Sequence, residues 1–492
     1  MTICLATVHR NARFLPLALL YIKAYLVERL GVAVDAVDIA EFDRDETEDA
    51  IVARVLAQAP AVVGLSCYVW NIRLLMAVAA RVKARRPDIR VVVGGPEVGP
   101  VGAAVLMAHP AVDVVVCSEG ELPFAGLIDA WRHGRDLSEV PGIVYRDGDR
   151  LVETAESPVL RDLNALPSPH DARYVGAGDG HGRVASIETQ RGCVFRCNFC
   201  FYNKDLSIRN RRFDLDRVKR EILFWLARDI DELFLMDPVF NLYADRAKEI
   251  CRFIAAHNTR RIGVHAEVWA EFIDDELAAL MKAANVVFLE VGLQTTDTGV
   301  LATVERRLKV QKFMDGIGHL AAHGLTYELQ LIYGLPGETV DSFRRSLDFA
   351  ARLEPPDLSV FPLMVLPGTE LWRKAGPMGL RFSPDPPYFV ESHPSMTAEE
   401  IAHGFRVVAA LGELYGLNTL RLLLREPDVS CSEVVEAWIT ASAAWPETAP
   451  LAERMQGFLE AYCKTKGIPA AFYLGCASVE LAAAPVPGPV VA

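Results

Sequence analysis

No run of about 18 consecutive apolar residues occurs in this sequence, so no part of it reads as a membrane-spanning helix. A secretory leader is also missing. The apolar stretch 14–22 is broken by Pro16 and followed by Lys23, with no basic leader and no small-residue cleavage site, so it is expected to form a first helix. Positive charge is in deficit: a net charge of −13 leaves no basic surface for a phosphate backbone and argues against nucleic acid as the main partner. Cysteine is thin, with ten residues scattered along 492, whereas a secreted disulfide scaffold is shorter and denser in them. Without an export signal, a reducing cytoplasm is the expected location. No repeat of fixed short period appears. What remains is 51% apolar and 23% charged, the balance of a globular chain, and its length calls for two or three domains.

Residues 1–154 alternate short β-branched runs with helical patterns. Strands are expected at 3–8, 34–40, 61–69, 90–94 and 112–117, with helices such as 15–30 and 72–84 between them. Near-continuous apolar strands separated by helices indicate a parallel sheet covered on both faces, a doubly wound α/β domain with its crevice at the strand carboxyl ends. The loops there hold Ser66, Tyr68, Trp70 and Asn71, then Gly94, Gly95 and Glu97, then Glu119 and Gly120. A hairpin turning at Asp147-Gly148 follows. Residues 155–182 read as a linker. From 183 to 375 six further strand–helix units are expected, with strands at 184–189, 232–236, 263–267, 286–292, 327–333 and 358–364. They make a partial (β/α)6 barrel with its chemistry at the strand carboxyl ends. Residues 376–480 read as mainly helical and 481–492 as a disordered tail rich in proline.

One tight cysteine cluster exists: Cys193, Cys197 and Cys200, spaced C-x3-C-x2-C in Thr189-Gln190-Arg191-Gly192-Cys193-Val194-Phe195-Arg196-Cys197-Asn198-Phe199-Cys200. It follows a predicted strand, so it sits on the first loop at the barrel mouth. Gly192 permits the tight turn that lets three thiolates converge. A [4Fe–4S] cluster takes four thiolates, so three leave one iron open for catalysis. The competing reading is a structural zinc site with His181 or His265 as fourth ligand, although this spacing is not zinc's usual paired one.

The cluster motif, with Phe199 before its last cysteine, resembles the radical S-adenosylmethionine superfamily. The resemblance implies that the open iron chelates the amino and carboxylate groups of S-adenosylmethionine, and that electron transfer cleaves a carbon–sulfur bond, usually giving a 5′-deoxyadenosyl radical. It places Phe199 near the adenine. Asp237, in Leu235–Asn241, falls where the family contacts the methionine amino group, although the usual two glycines and glutamate are absent. Glu290 and Gln294, in 290–295, match the fourth-strand segment facing S-adenosylmethionine; a satisfied barrel-interior carboxylate is the competing reading for Glu290. Gly334–Glu338 and Pro367–Thr369 resemble the fifth- and sixth-strand loops, where glycine and proline shape turns. The N-terminal domain resembles the cobalamin-binding domain of a large subgroup of these enzymes. On that likeness Ser66, Tyr68, Trp70, Gly94, Gly95, Glu97, Glu119 and Gly120 lie on cobalamin-type loops, and a larger residue at Gly95 is expected to exclude the corrin. The Asp-x-His-x-x-Gly segment of many cobalamin proteins is missing: 8–13 reads Val-His-Arg-Asn-Ala-Arg.

The resemblance therefore implies a [4Fe–4S] cluster, S-adenosylmethionine and cobalamin as cofactors, and an external reductant such as flavodoxin or ferredoxin. The expected activity is methyl transfer to an unactivated carbon or phosphorus of a small molecule or natural-product intermediate. Rival readings are transfer of the 3-amino-3-carboxypropyl group, a rearrangement or ring-forming step, a non-catalytic cobalamin or redox sensor, and a nucleic-acid methylthiolase. His265, Glu267, Trp269, Tyr333 and Tyr388 are expected to line the substrate site.

Overall fold

Two parallel sheets follow one another along the chain in the structure, a computed structural model that describes residues 1–176, 181–203, 210–446 and 448–483. The first has seven strands: β1 (Ile3–His9), β2 (Val37–Asp43), β3 (Val62–Ser66), β4 (Arg90–Gly94), β5 (Val114–Val116), β6 (Ile143–Asp147) and β7 (Arg150–Glu153). Their order is β2-β1-β3-β4-β5-β6-β7, parallel through β5 and antiparallel for the closing hairpin. Alternate residues of each strand enter opposite cores. Val63 and Leu65 join one, Val62, Ile3 and Leu5 the other, which is why these strands read as unbroken apolar runs. The order reverses between β1 and β3, and at that switch point Trp70 Nε1 and Asn71 Nδ2 both donate to the carbonyl of Val8, at 3.2 and 3.0 Å. The second strand starts later than its composition predicts. Residues 34–36 form a 3-10 turn, because pairing with β1 begins at Ile3 opposite Val37.

After β8 (Val184–Ile187) comes a two-stranded antiparallel ribbon, β9 (Gln190–Arg191) with β10 (Arg211–Arg212), which closes the base of the cysteine loop. The remaining strands are β11 (Glu232–Leu235), β12 (Gly263–Val268), β13 (Val286–Gln294), β14 (Tyr327–Tyr333) and β15 (Asp357–Pro362). With β8 they form a six-stranded parallel sheet in the order β15-β14-β13-β12-β11-β8. Its β8 edge is not bare. Val184 N–H donates to Arg13 O at 2.7 Å and Leu15 N–H to Val184 O at 3.2 Å, so residues 13–15 of the N-terminal domain run alongside it.

The helix Leu17–Leu30 that follows is buried on two sides. Leu19 and Leu26 enter a core of the first sheet, while Leu17, Leu20, Tyr21 and Ala24 enter the core of the second. That double burial accounts for the apolar stretch at 14–22. The C-terminal region contributes helices Ala398–Leu414, Asn418–Leu423, Cys431–Ser442, Leu451–Lys466 and Ala470–Ala483, the first packing over β15. The last helix takes up 481–483 of the expected tail; 484–492 lie outside the described residues. Among the described residues no helix is long and apolar enough to cross a membrane.

Candidate active site

The cysteine loop is anchored from below by Asp237. Its carboxylate accepts from the Thr189 N–H at 2.7 Å, the Thr189 hydroxyl at 2.5 Å and the Gln190 N–H at 3.1 Å. No part of Asp237 is exposed, and burial pushes its carboxyl up to about 7 against these three donors. The structure thus sets Asp237 beneath the loop and not at an open ligand face. Past Gly192 (φ +84°), Cys200 N–H donates to Cys197 O at 3.0 Å. The buried Asn198 ties the loop to Thr303 O, at 2.9 Å, and to Val304 O and Leu371 N–H. Phe199 packs against the barrel core.

The three sulfurs are close enough to act on one another. Burial raises Cys193, and raises Cys200 to about 12, and the neighbouring thiols add to both shifts. Without metal Cys193 and Cys200 are therefore protonated thiols, and iron binding has to release their protons. Among the described residues no group of three His, Cys, Asp or Glu side chains stands in position to hold a single metal ion. A four-iron cluster asks for something different, one thiolate on each of three irons. Sequence reasoning missed Arg306, which is 3.8 Å from Cys197 Sγ, donates to Gly292 O and lies 4.2 Å over the Trp269 ring. Trp269 in turn stacks on Phe195 of the loop at 3.8 Å.

Inside the barrel, strand alternation sends Val264, Ala266 and Val268 to the outer core and His265 and Glu267 to the lumen. Register puts Glu267, Glu290, Glu328 and Asp357 side by side on four neighbouring strands. Burial would raise Glu290, but a 3.0 Å bond and charge from His265, with a bond from Gln330, hold it below its usual value. Glu290 is therefore committed to barrel partners while its side chain, 31% exposed, still opens to the lumen. Glu267 is pushed up to about 8, first by burial and then by the charges of Glu290 and Asp237. Gln294 adopts a left-handed φ of +69° where the pairing of β13 with β14 shifts register, and its Oε1 is buried without a partner. Such an orphaned acceptor fits an ammonium donor. Tyr333 does not line the lumen: it is 2% exposed and donates to Glu400 O on the C-terminal side.

On the N-terminal domain, Tyr68 and Trp70 stack at 4.4 Å with rings 6° apart, and Trp70 keeps 47% of its surface open. This flat pair, next to the buried Ser66 at the switch point, fits one side of a flat macrocycle. His9 offers it no ligand, being bonded to Glu41 at 2.7 Å. Gly95 has a backbone reason of its own for being glycine, whereas a Cβ at Gly94 would meet Val116 only at ordinary contact distance. A Cβ at Gly95 (φ +113°) would stand 2.4 Å from Cys67 O and at Gly94 3.4 Å from Val116, so a larger residue at Gly95 disrupts the domain's own backbone first. Glu97 is buried and accepts from the Tyr388 hydroxyl; Glu119 accepts from Arg211; a Cβ on Gly120 would meet Ile22 at 3.2 Å. Glu97 and Glu119 are thus struts to the barrel side.

The two sets of loops lie within electrostatic reach of each other. Tyr202, on the cysteine loop, exposes 47% of its surface, yet burial raises its phenol far above the usual value, followed by Glu267, Glu188, Cys200 and Tyr68. Burial likewise raises Tyr68, which also feels Glu188 of the barrel.

Residues 187–350 match the Radical SAM superfamily and residues 3–128 the B12 binding domain, so the chain carries the domains for a [4Fe–4S] cluster with S-adenosylmethionine and for cobalamin. It is 32% identical over 333 residues to the cobalamin-dependent radical SAM methyltransferase TokK of Streptomyces tokunonensis, covering 63% of this chain and 48% of that one. It is 31% identical over 357 residues to the 2-(S-pantetheinyl)-carbapenam-3-carboxylate methyltransferase of Streptantibioticus cattleyicolor, covering 68% and 51%. The chain thus spans about half the length of these curated relatives. Its fold matches the cobalamin-dependent S-adenosylmethionine radical enzyme OxsB, with a TM-score of 0.70 at 14% identity over 97% of this chain and 78% of that one. Cysteine loop, barrel, switch-point loops and both domain matches agree: the chain belongs to the radical S-adenosylmethionine superfamily, in the subgroup that carries a cobalamin-binding domain.

Proposed function

We propose that this chain is a cobalamin-dependent methyltransferase acting on an unactivated carbon, or on phosphorus, of a small molecule. The observation that carries the reading is the approach of the two sets of loops, where Tyr68 of the N-terminal domain lies within electrostatic reach of Tyr202 on the cysteine loop. Two cofactors that must cooperate need one cleft at two sets of strand ends. The two curated relatives, both methyltransferases by name, support methyl as the group transferred.

When bound, the cluster supplies the electron that cleaves S-adenosylmethionine, and cobalamin supplies a methyl carrier. Cys193, Cys197 and Cys200 would hold three irons, with the Arg306 guanidinium set against Cys197. Gln294 Oε1 offers an acceptor to the ammonium of S-adenosylmethionine. Glu267, neutral below about pH 8, presents a carboxylic acid to the barrel lumen that can donate a hydrogen bond to substrate. Trp269 and Phe195 wall the cysteine loop with stacked rings and exclude water from its rim.

Anaerobic reconstitution with iron, sulfide and cobalamin tests the proposal. Alanine at Cys193, Cys197 or Cys200 is expected to abolish cluster absorbance and turnover, whereas alanine at the helix-buried Cys251 or Cys431 leaves the cluster intact. Turnover is expected to yield S-adenosylhomocysteine alongside 5′-deoxyadenosine. Methylthioadenosine as the main product would favour 3-amino-3-carboxypropyl transfer. A preparation that turns over without taking up cobalamin would overturn methyl transfer.

A further inference from the structure

The ribbon that closes the cysteine loop carries Arg191 on β9 and Arg211 and Arg212 on β10, and register places Arg211 opposite Arg191. Both reach out of the barrel to a single loop of the N-terminal domain. Arg211 grips Glu119 with two guanidinium nitrogens, one of them at 3.0 Å, and also donates to Leu160 O at 2.9 Å. Arg191 binds Glu121 at 2.7 Å, approaches Glu119 at 3.5 Å and turns its Nε to Glu188 of its own domain at 2.9 Å. Its guanidinium also lies 4.8 Å over the ring of Tyr21, on the helix shared by both cores. The two arginine side chains are 11% and 10% exposed and that of Glu121 is 6% exposed, whereas that of Glu119 is 37% exposed, so the Arg191–Glu121 pair is buried and the Arg211–Glu119 pair is buried on its arginine side. Two cations face three carboxylates here, and severing a buried pair strands a charge.

We infer that Arg191 and Arg211 are positioning residues that fix the cluster-bearing loop to the cobalamin-type loop and so set the distance between the two cofactors. The loop Ser118–Glu121 then has a mechanical role. Its glutamates hold Arg191 and Arg211, the two residues that flank the cysteine loop, and the residues that would hold the cluster and the corrin lie on the two sides of that joint. Arg211 is bidentate to Glu119 and Arg191 spreads its nitrogens over Glu121, Glu119 and Glu188, so the two guanidinium groups resist rotation as well as separation, which a lysine in either place does not. The inference rests on the family's cofactors and not on which atom is methylated.

The test uses the full chain loaded with cluster and cobalamin, and pulsed dipolar EPR between the reduced cluster and cob(II)alamin. The unaltered protein is expected to give one narrow distance. Arg211→Glu and Arg191→Gln are expected to broaden or lengthen it while retaining iron, and amide exchange at 118–121 is expected to quicken about tenfold or more as these pairs are lost. The reciprocal pair Arg211→Glu with Glu119→Arg should restore the narrow distance, which a merely structural defect would not allow. Should Arg211→Glu alone fail to fold, the reciprocal pair decides: a folded swap with a broad distance counts against the clamp. If the unaltered chain binds no cobalamin, that result counts against methyl transfer, and exchange at 118–121 in the cluster-loaded variants decides the clamp. Native distance and native exchange in both single variants would overturn it.

Discussion

Three donors converge on Asp237, two of them backbone N–H groups of Thr189 and Gln190, at the point where the chain leaves the first barrel strand for the cysteine loop. Its carboxyl titrates at about 7 instead of 3.8. As pH rises the unfolded chain ionises first, so stability from this group is complete below about pH 4 and falls through pH 7, by on the order of 4 kcal/mol in all. An asparagine there keeps the geometry, its oxygen accepting both N–H groups and its amide donating to the Thr189 hydroxyl. Asp237→Asn is therefore expected to retain the cluster and to flatten the decline in stability between pH 4 and 7, read from urea unfolding of metal-free protein beside the unaltered chain. Asp237→Ala leaves two buried N–H groups unpaired, at about 1–3 kcal/mol each, and is expected to lower cluster yield. At this scale the cysteines were legible because their spacing is local. Arg306 was not, because Cys197 lies 109 residues before it, nor was Glu97, whose partner Tyr388 is 291 residues on. Glu97 and Glu119 have the composition expected of ligand loops, and only tertiary contact shows them bonded across domains.

Among the elements, Leu17–Leu30 carries the most uneven assignment: adjacent residues of one helix belong to different cores. Leu19 is 3% exposed in a core of the first sheet, and Leu20 is 5% exposed in that of the barrel. Truncating either to alanine is expected to cost about 2–5 kcal/mol. Because the helix is common to both layers, Leu19→Ala and Leu20→Ala should each lower one and the same thermal transition; two separately shifted transitions in calorimetry would contradict a shared fold. The period-two and helical patterns made most elements visible in the sequence, and Tyr327–Tyr333 has the bounds its alternation predicts. The boundaries that moved did so where pairing overrides propensity, as at Val37, which starts opposite Ile3. The ribbon β9–β10 had no signal, since two residues per strand are too few for any period to show.

On the scale of the whole molecule, the N-terminal domain and the barrel meet through backbone bonds at Val184, a shared helix, the Tyr388–Glu97 contact and the arginine pairs. A chain starting at residue 155 would lack Leu15, Leu17, Leu20, Tyr21 and Ala24 from its core and would present β8 as an open edge. Such a fragment is expected to aggregate, and size-exclusion chromatography checks this: a monomeric, folded fragment would show that the barrel stands alone. The strand-like segment 13–15 also bears on recombination between relatives. A cobalamin-type domain exchanged at a join within 155–182 carries away the piece of chain that completes its recipient's barrel, together with the helix behind it. The N-terminal domain in this architecture is consequently not an interchangeable cartridge: residues 13–30 serve both layers at once, although they are encoded ahead of the barrel they complete.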